Sequence, residues 1–315
     1  MNDSANSSNL ICPLTGAGGC EIVDRIDPAW LIELWLRKFD IDIAEELEGI
    51  DEVLRYRSPK LRFEFFRPES SAGSAGLYEH LQTFDWYYMS DKWEYGRTLE
   101  DFGGCQGRLL EIGCGSGAFL QQVRKASLPL QVEGLEINVA AAASARQSGL
   151  AVHVEPLASF AEVNAGCFDA VCTFQVLEHV PAPGDFLDLA VKLLKPGGRL
   201  AISVPDMRSI LKIDYDNPLN MPPHHMGRWW TETFEGLTDL LPVSVVRIQS
   251  EPLAKYHVDY NVSRWTRWRG IRPAHLRSVI RRGVRATAGA AMKRSARLRG
   301  LFRGMTMYGC FEKRQ

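Results

Sequence analysis

The chain has 315 residues, with 37 Lys and Arg against 38 Asp and Glu and 45% hydrophobic residues. That is the balance of an ordinary soluble protein, large enough for one large domain or a core domain with additions. No apolar run approaches the roughly 20 residues that a membrane span requires. The polar start, Met1 to Asn9, lacks a basic opening and an apolar stretch, so no secretory signal is expected. Seven scattered cysteines fit a reducing cytosol better than a disulfide framework, and a cytoplasmic location is expected.

Ser4 to Gly19 is rich in Ser, Gly and Asn and reads as loose chain. Pro28 to Phe39 places Trp30, Leu31, Leu34, Trp35 and Phe39 at helical intervals, and Leu61 to Phe66 alternates as a strand does. The aromatic-rich stretch Leu77 to Leu99 reads as one or two helices. Strand and helix then alternate. Strand Arg108–Gly113 leads to a helix from Gly117, and strand Gln131–Ile137 to helix Val139–Gln147. Strand Ala151–Val154 precedes a short helix, and strand Cys167–Phe174 a helix over Pro183–Leu194. Strand Arg199–Val204, a helix near Arg228–Leu241, strand Val243–Ser250 and a last strand Met305–Phe311 complete the order. Such alternation predicts an α/β fold, a doubly wound, mostly parallel sheet with right-handed crossovers.

The charge is unevenly spread. From Asn261 to Cys310 there is no Asp or Glu, yet the stretch carries about a dozen Arg and Lys, among them Arg264, Arg267, Arg269, Arg272, Arg277, Arg281, Arg282 and Arg285. Leu276, Ile280 and Val284 recur at four-residue spacing beside these arginines, a basic amphipathic pattern weakened by Gly283 and Gly289. It suits an anionic membrane surface, a nucleic-acid backbone, or a solvated face pairing with the acidic body. Nucleic acid ranks lowest, because no recognised RNA-binding module accompanies the charge.

The densest signal is Leu109-Leu110-Glu111-Ile112-Gly113-Cys114-Gly115-Ser116-Gly117: an apolar strand, an acid, then three glycines on alternate residues before a helix. The turn opens a helix N-terminus to a ligand. Its G-x-G-x-G spacing differs from the G-x-G-x-x-G of dinucleotide-binding folds. An acid beside such a turn suits a cationic ligand and would be poor beside a pyrophosphate. Glu136 ends the next strand, where an acid can take both ribose hydroxyls. Phe174-Gln175-Val176-Leu177-Glu178-His179-Val180 follows the fourth strand, and Leu194-Lys195-Pro196-Gly197-Gly198-Arg199-Leu200 opens the fifth.

In this order and spacing the four elements resemble the class I S-adenosylmethionine-dependent methyltransferases, strongly over Gly107 to Pro205. The resemblance implies a Rossmann-like sheet of seven strands and S-adenosylmethionine as cofactor. It implies that Glu111 and the amides of Gly113, Gly115 and Gly117 face the aminoacyl end, Glu136 the ribose, and Gln175 the methionine moiety. Many relatives hold the adenine with an Asp after the third strand. Here Glu155 or the backbone near Leu157 and Ala158 takes that place.

The acceptor is less visible. His179 sits at the mouth of the sheet, as a base, a substrate contact or a loop support. Pro222-Pro223-His224-His225-Met226-Gly227-Arg228-Trp229-Trp230 falls in the connection that helps build the acceptor pocket in this fold. A similar element occurs in methyltransferases of glycan and secondary-metabolite pathways. His224 or His225 either deprotonates or orients an acceptor hydroxyl, or anchors the loop. Phe84-Asp85-Trp86-Tyr87-Tyr88-Met89 caps the cofactor, stacks on a sugar or simply packs. Cys12-Pro13-Leu14-Thr15-Gly16 is similar to the zinc-ribbon start of some sugar-pathway methyltransferases, but with Cys20 it makes at best half a zinc site, and no metal is expected.

The expectation is therefore an N-terminal module (1–76), a methyltransferase core (77–261), a basic helical insertion (262–304) and a final core strand (305–315). The expected enzyme methylates oxygen or carbon of a small-molecule or glycan-precursor acceptor, with the basic segment either against the inner face of a membrane or a solvated face. Two other classes stay open: an RNA methyltransferase, and a non-catalytic cofactor-binding partner protein.

Overall fold

The computed structural model describes residues 10–84, 87, 89–266, 278–279 and 282–315. Asp85, Trp86 and Tyr88 of the aromatic run lie outside these residues, as do Arg267, Arg269, Arg272, Leu276, Arg277, Ile280 and Arg281 of the basic segment.

The chain opens with strand β1 (Glu21–Ile26) and helix α1 (Pro28–Phe39). Asp27 caps α1 by accepting from the Ala29 amide at 2.8 Å, and Pro28 supplies a first helical residue that needs no amide partner. Strands β2 (Val53–Arg57) and β3 (Glu64–Arg67) follow, then α2 (Ala75–Leu81) and α3 (Trp93–Asp101). The core elements are β4 (Gly107–Ile112), α4 (Ala118–Lys125), β5 (Leu130–Leu135), α5 (Val139–Gln147), β6 (Ala151–His153), α6 (Leu157–Val163), β7 (Phe168–Phe174), α7 (Pro183–Leu193) and β8 (Leu194–Pro205). After them come β9 (Gly227–Arg228), α8 (Thr231–Glu235), α9 (Leu237–Leu240), β10 (Val243–Pro252), α10 (Val258–Trp265) and β11 (Arg303–Lys313).

Seven strands form one sheet in the order β10-β11-β8-β7-β4-β5-β6. β4 pairs parallel with both β5 and β7, and β7 with β8, whereas β11 runs antiparallel to β8 and β10. From β4 the chain winds outward through β5 and β6, then returns to β7 on the other side. That reversal opens a crevice at the carboxyl ends of β4 and β7, where ligands bind in such sheets. Alternate residues face opposite layers. Leu110, Ile112, Val171 and Leu200 pack with Phe160 of α6 and Leu187 of α7. Leu109, Ala170, Cys172 and Ala201 pack with Tyr95 of α3 and Phe119 of α4. This is the doubly wound architecture that the element order predicts.

Two local expectations need correction. The strand expected over Leu61–Phe66 is β3, shifted onto Glu64–Arg67, because Leu61 and Arg62 take positive φ of 61° and 52° and make the turn. With β1, β2 and β9 it forms a second, antiparallel sheet in the order β1-β2-β3-β9. The helix expected near Arg228–Leu241 starts only at Thr231 and is broken at Gly236, since Gly227 and Arg228 pair with β3 instead. So this sheet is completed from the far side of the core. The basic insertion does lie between β10 and β11, with short helices at Ala290–Arg294 and Ala296–Arg299. Its Arg264 meets Asp214 at 2.7 Å and Asp216 at 3.0 Å, and Lys293 pairs with Asp259 at 2.5 Å.

Candidate active site

A cavity of about 1320 Å³ occupies the crevice. Small-molecule sites usually span roughly 300–1,000 Å³, so there is room for two ligands side by side. One end is built by the glycine turn and the strand ends beside it. The other is built by Tyr78, Glu178, His179, His224 and His225.

At the first end, Gly113 and Gly117 hold φ of 74° and 80°, a region that side chains resist. A Cβ on Gly113 would lie 2.5 Å from Val176 Cγ2, so the turn packs directly on the loop after β7. Gly117 starts α4 in this left-handed conformation, leaving the first helical amides open toward the cavity. Glu136, just past β5, accepts from the Gly115 amide and the Asn138 amide, both at 2.8 Å. Its carboxylate is thereby fixed at the strand end with further lone pairs free to accept. Exposed Ile137 and Val139 and the start of α6 at Pro156 and Leu157 line the adjoining wall. Glu155 is not on that wall, so Leu157 is the better candidate for the adenine contact.

Glu111, the next-to-last residue of β4, is almost fully buried, and its Oε2 has no hydrogen-bond partner. Burial pushes its carboxyl well above the usual range, the Lys92 ammonium opposes this, and Glu136 adds to it. An unmet buried acceptor costs about 1–3 kcal/mol. A cation arriving there would remove that cost. Gln175 takes φ of 55° just past β7 and donates from Nε2 to Ser203 Oγ at 3.3 Å. Ser203 in turn donates to Glu94 Oε1 at 3.3 Å. Burial raises the Glu94 carboxyl, with Lys92 opposing.

The second end gathers residues from distant parts of the chain. His179 Nδ1 lies 2.5 Å from the His224 carbonyl, and Tyr78 Oη reaches both His179 Nδ1 and that carbonyl at 3.2 Å. His224 Nδ1 meets the Leu219 carbonyl at 2.9 Å. The His224 and His225 rings stack with centroids 4.4 Å apart. Burial lowers the His179 imidazole to about 4 against hydrogen bonds to carbonyls, and it lowers His224 and His225 well below the ordinary range, each neighbouring histidine adding to the effect. Glu178 is pushed up to about 8 by burial.

All the expected site residues thus line one cavity, apart from Gly117, which sets the helix start behind it. Sequence reasoning missed Tyr78, Lys92, Glu94 and Ser203. None belongs to a spaced motif, and only folding of α2 and α3 over the strand ends brings Tyr78, Lys92 and Glu94 in.

The methyltransferase domain family matches residues 86–284, more than half of the chain. The chain belongs to that family, the class I S-adenosylmethionine-dependent methyltransferases. Among curated proteins it is similar to a ubiquinone biosynthesis O-methyltransferase of Burkholderia orbicola (strain MC0-3), 37% identical over 97 residues covering 29% of this chain and 41% of that protein. A ubiquinone biosynthesis O-methyltransferase of Caulobacter sp. (strain K31) is 39% identical over 101 residues, 30% of this chain and 40% of its own. The chain thus spans about two fifths of the length of these relatives. Among solved structures, a methyltransferase from Archaeoglobus fulgidus has a TM-score of 0.47 at 20% identity, covering 69% of this chain and 90% of its own. A cyclopropane synthase from Mycobacterium tuberculosis has a TM-score of 0.41 at 19% identity, covering 70% and 80%.

The site of this methyltransferase fits the cofactor of its family. Orphaned Glu111 Oε2 suits an ammonium, the cradle at Gly113 admits no side chain, and the anchored Glu136 suits a diol.

Proposed function

We propose that this methyltransferase methylates oxygen on a small-molecule acceptor bound between the Gln175 loop and the three histidines. One observation carries the reading: a single cavity joins the glycine turn to Tyr78, His179, His224 and His225. The curated relatives named ubiquinone biosynthesis O-methyltransferases support oxygen as the acceptor atom. S-adenosylmethionine, when bound, supplies a methyl group already activated on a sulfonium. The chain has only to align and desolvate the partners and activate the acceptor. In this reading Glu111 and the turn amides hold the aminoacyl end, Glu136 the ribose, Leu157 the adenine edge and Gln175 the methionine part. The histidine cluster orients the acceptor hydroxyl. Glycan precursors and acceptor carbon fall within the same chemistry.

The test is to supply labelled cofactor to extracts of a strain lacking the protein. Label in a small organic product supports the reading. Label in RNA, or cofactor binding with no label anywhere, overturns it.

The basic segment supports a second role, docking on an anionic membrane. Arg294 and Arg297 are exposed beside Leu298 and Leu301, which is 77% exposed. Each such Arg near an anionic surface contributes about 1 kcal/mol. Co-sedimentation with anionic vesicles, abolished by deleting 278–299, is expected. Equal binding to neutral vesicles would exclude electrostatic docking. Among the described residues no helix is long and apolar enough to cross a membrane.

A further inference from the structure

The acceptor end holds more unmet valence than a proton can satisfy. One ligand atom from each of His179, His224 and His225 lies within 4.8 Å of the other two. A carbonyl only accepts, so the contacts to the His224 and Leu219 carbonyls place a proton on Nδ1 of both His179 and His224. His224 Nε2 then keeps its lone pair. His224 Nε2, His225 Nδ1 and Glu178 Oε2 are all buried without a hydrogen-bond partner. Glu178 Oε1 stands 4.0 Å from His225 Nε2. Three imidazoles lie together with the Glu178 carboxyl beside them, and backbone carbonyls hold Nδ1 of His179 and of His224. Metal-binding histidines are oriented in this way.

We propose that His179, His224 and His225, with Glu178 beside them, bind a divalent transition-metal ion of the zinc type at the acceptor end of the cavity. Imidazole donors select zinc and its neighbours over magnesium, which prefers oxygen. Three histidines leave a position open for water or substrate oxygen. Zinc–nitrogen bonds of about 2.0–2.1 Å require the rings to close on the ion from their present spread.

What the ion does rests on the methyl-transfer reading. An acceptor hydroxyl at the open position loses its proton to solvent, lowered in pKa by the cation. The resulting oxyanion forms the O–CH3 bond while the S–CH3 bond breaks, and that bond's electron pair stays on sulfur as a neutral thioether.

The experiment titrates metal-stripped full-length protein with Co²⁺ alone and follows the visible absorption of a tetrahedral centre. Binding of S-adenosylhomocysteine is measured in parallel as the check of folding. One Co²⁺ per chain is expected, displaced by Zn²⁺ and weakened at least tenfold in His224→Ala and His225→Ala with S-adenosylhomocysteine affinity retained. If these variants fail to fold, the wild type alone decides. Wild-type protein that binds S-adenosylhomocysteine but no Co²⁺ overturns the site, whatever its activity. Labelled methyl transfer that persists undiminished in chelator also overturns it and leaves the methyl-transfer reading intact. Stoichiometric Co²⁺ with no methyl transfer confirms the metal site and sinks the reading instead.

Discussion

The two ends of the cavity are made in different ways. The cofactor end is nearly contiguous: Glu111 through Gly117, then Glu136, then Gln175, each at the carboxyl end of a neighbouring strand. Backbone does most of the work there, through positive-φ glycines and open amides, and the parallel pairing of β4, β5 and β7 sets the spacing. The acceptor end is assembled from α2, the loop after β7 and the connection after β8. It is held by side chains on carbonyls, as with His224 on Leu219 and His179 on His224. A backbone-built site binds one ligand by a fixed pattern. A side-chain-built site can change its ligand without disturbing the sheet, which is why one fold serves many acceptors.

If the two ends are separable, the largest effect comes from the acceptor side with the cofactor side untouched. His224→Gln should lower the turnover number by about 10² through misplacement of the acceptor. Its affinity for S-adenosylhomocysteine, measured by calorimetry, should stay within about twofold, since His224 makes no contact to the glycine turn. A parallel loss of affinity would merge the two ends into one. The reverse experiment is Gly113→Ala. The new Cβ must take a φ of 74° and sit 2.5 Å from branched Val176. Left-handed strain alone costs about 1–2 kcal/mol, and the clash adds to it. A loss of S-adenosylhomocysteine affinity of about a hundredfold is expected.

Glu136→Ala is the milder test of the same end. It removes the acceptor for the Gly115 and Asn138 amides, so the loop loosens as the proposed ribose contact is lost. At about 1–1.5 kcal/mol for each neutral hydrogen bond and more for charged ones, affinity should fall by roughly ten- to thirtyfold. Unchanged affinity would remove Glu136 from the cofactor site. Tyr78→Phe is smaller still. The hydroxyl only supports His179 and the His224 carbonyl at 3.2 Å, so turnover should drop less than about tenfold. A larger drop would make Tyr78 a direct acceptor contact.

The contrast also explains what the sequence made legible. Helix α1 agrees end to end with its periodicity because Asp27, Pro28 and the apolar face agree locally. The core strands are apolar runs between turn signals, and their order follows from alternation. β1 and β2 mix exposed charges with few buried residues, as in Glu21–Ile26, so period 2 is blurred. β9 has no signal of its own, since two residues become a strand only by pairing with Phe65 and Glu64. Within the site, Glu111, Glu136 and Gln175 stand at motif positions. Lys92 and Glu94 do not: they matter because α3 lays them against Glu111 and Ser203, a tertiary fact.

The smallest predicted effect lies at the opposite end of the strands and serves as the control on the whole comparison. Asp169, near the start of β7, accepts from Lys195 Nζ at 2.8 and 2.9 Å and from the Arg108 amide at 2.8 Å. Burial pushes its carboxyl up, but the bonds from Lys195 and Arg108, with the Lys195 charge, outweigh this and hold it below the usual value. A depressed folded pKa stabilises the fold above the unfolded value, about 3.9, and that stability is lost as pH falls through the folded value. Lys195→Met should therefore lower thermal stability at pH 7 by no more than about 1 kcal/mol, because the ammonium is partly exposed and screened. The difference from wild type should shrink once the pH drops below the folded value. S-adenosylhomocysteine affinity and turnover should both be unchanged, since the glycine turn and the histidines lie at the carboxyl ends of the same strands. A change in either would mean that the sheet transmits strain along its strands, and the two ends of the cavity could then no longer be treated as independent.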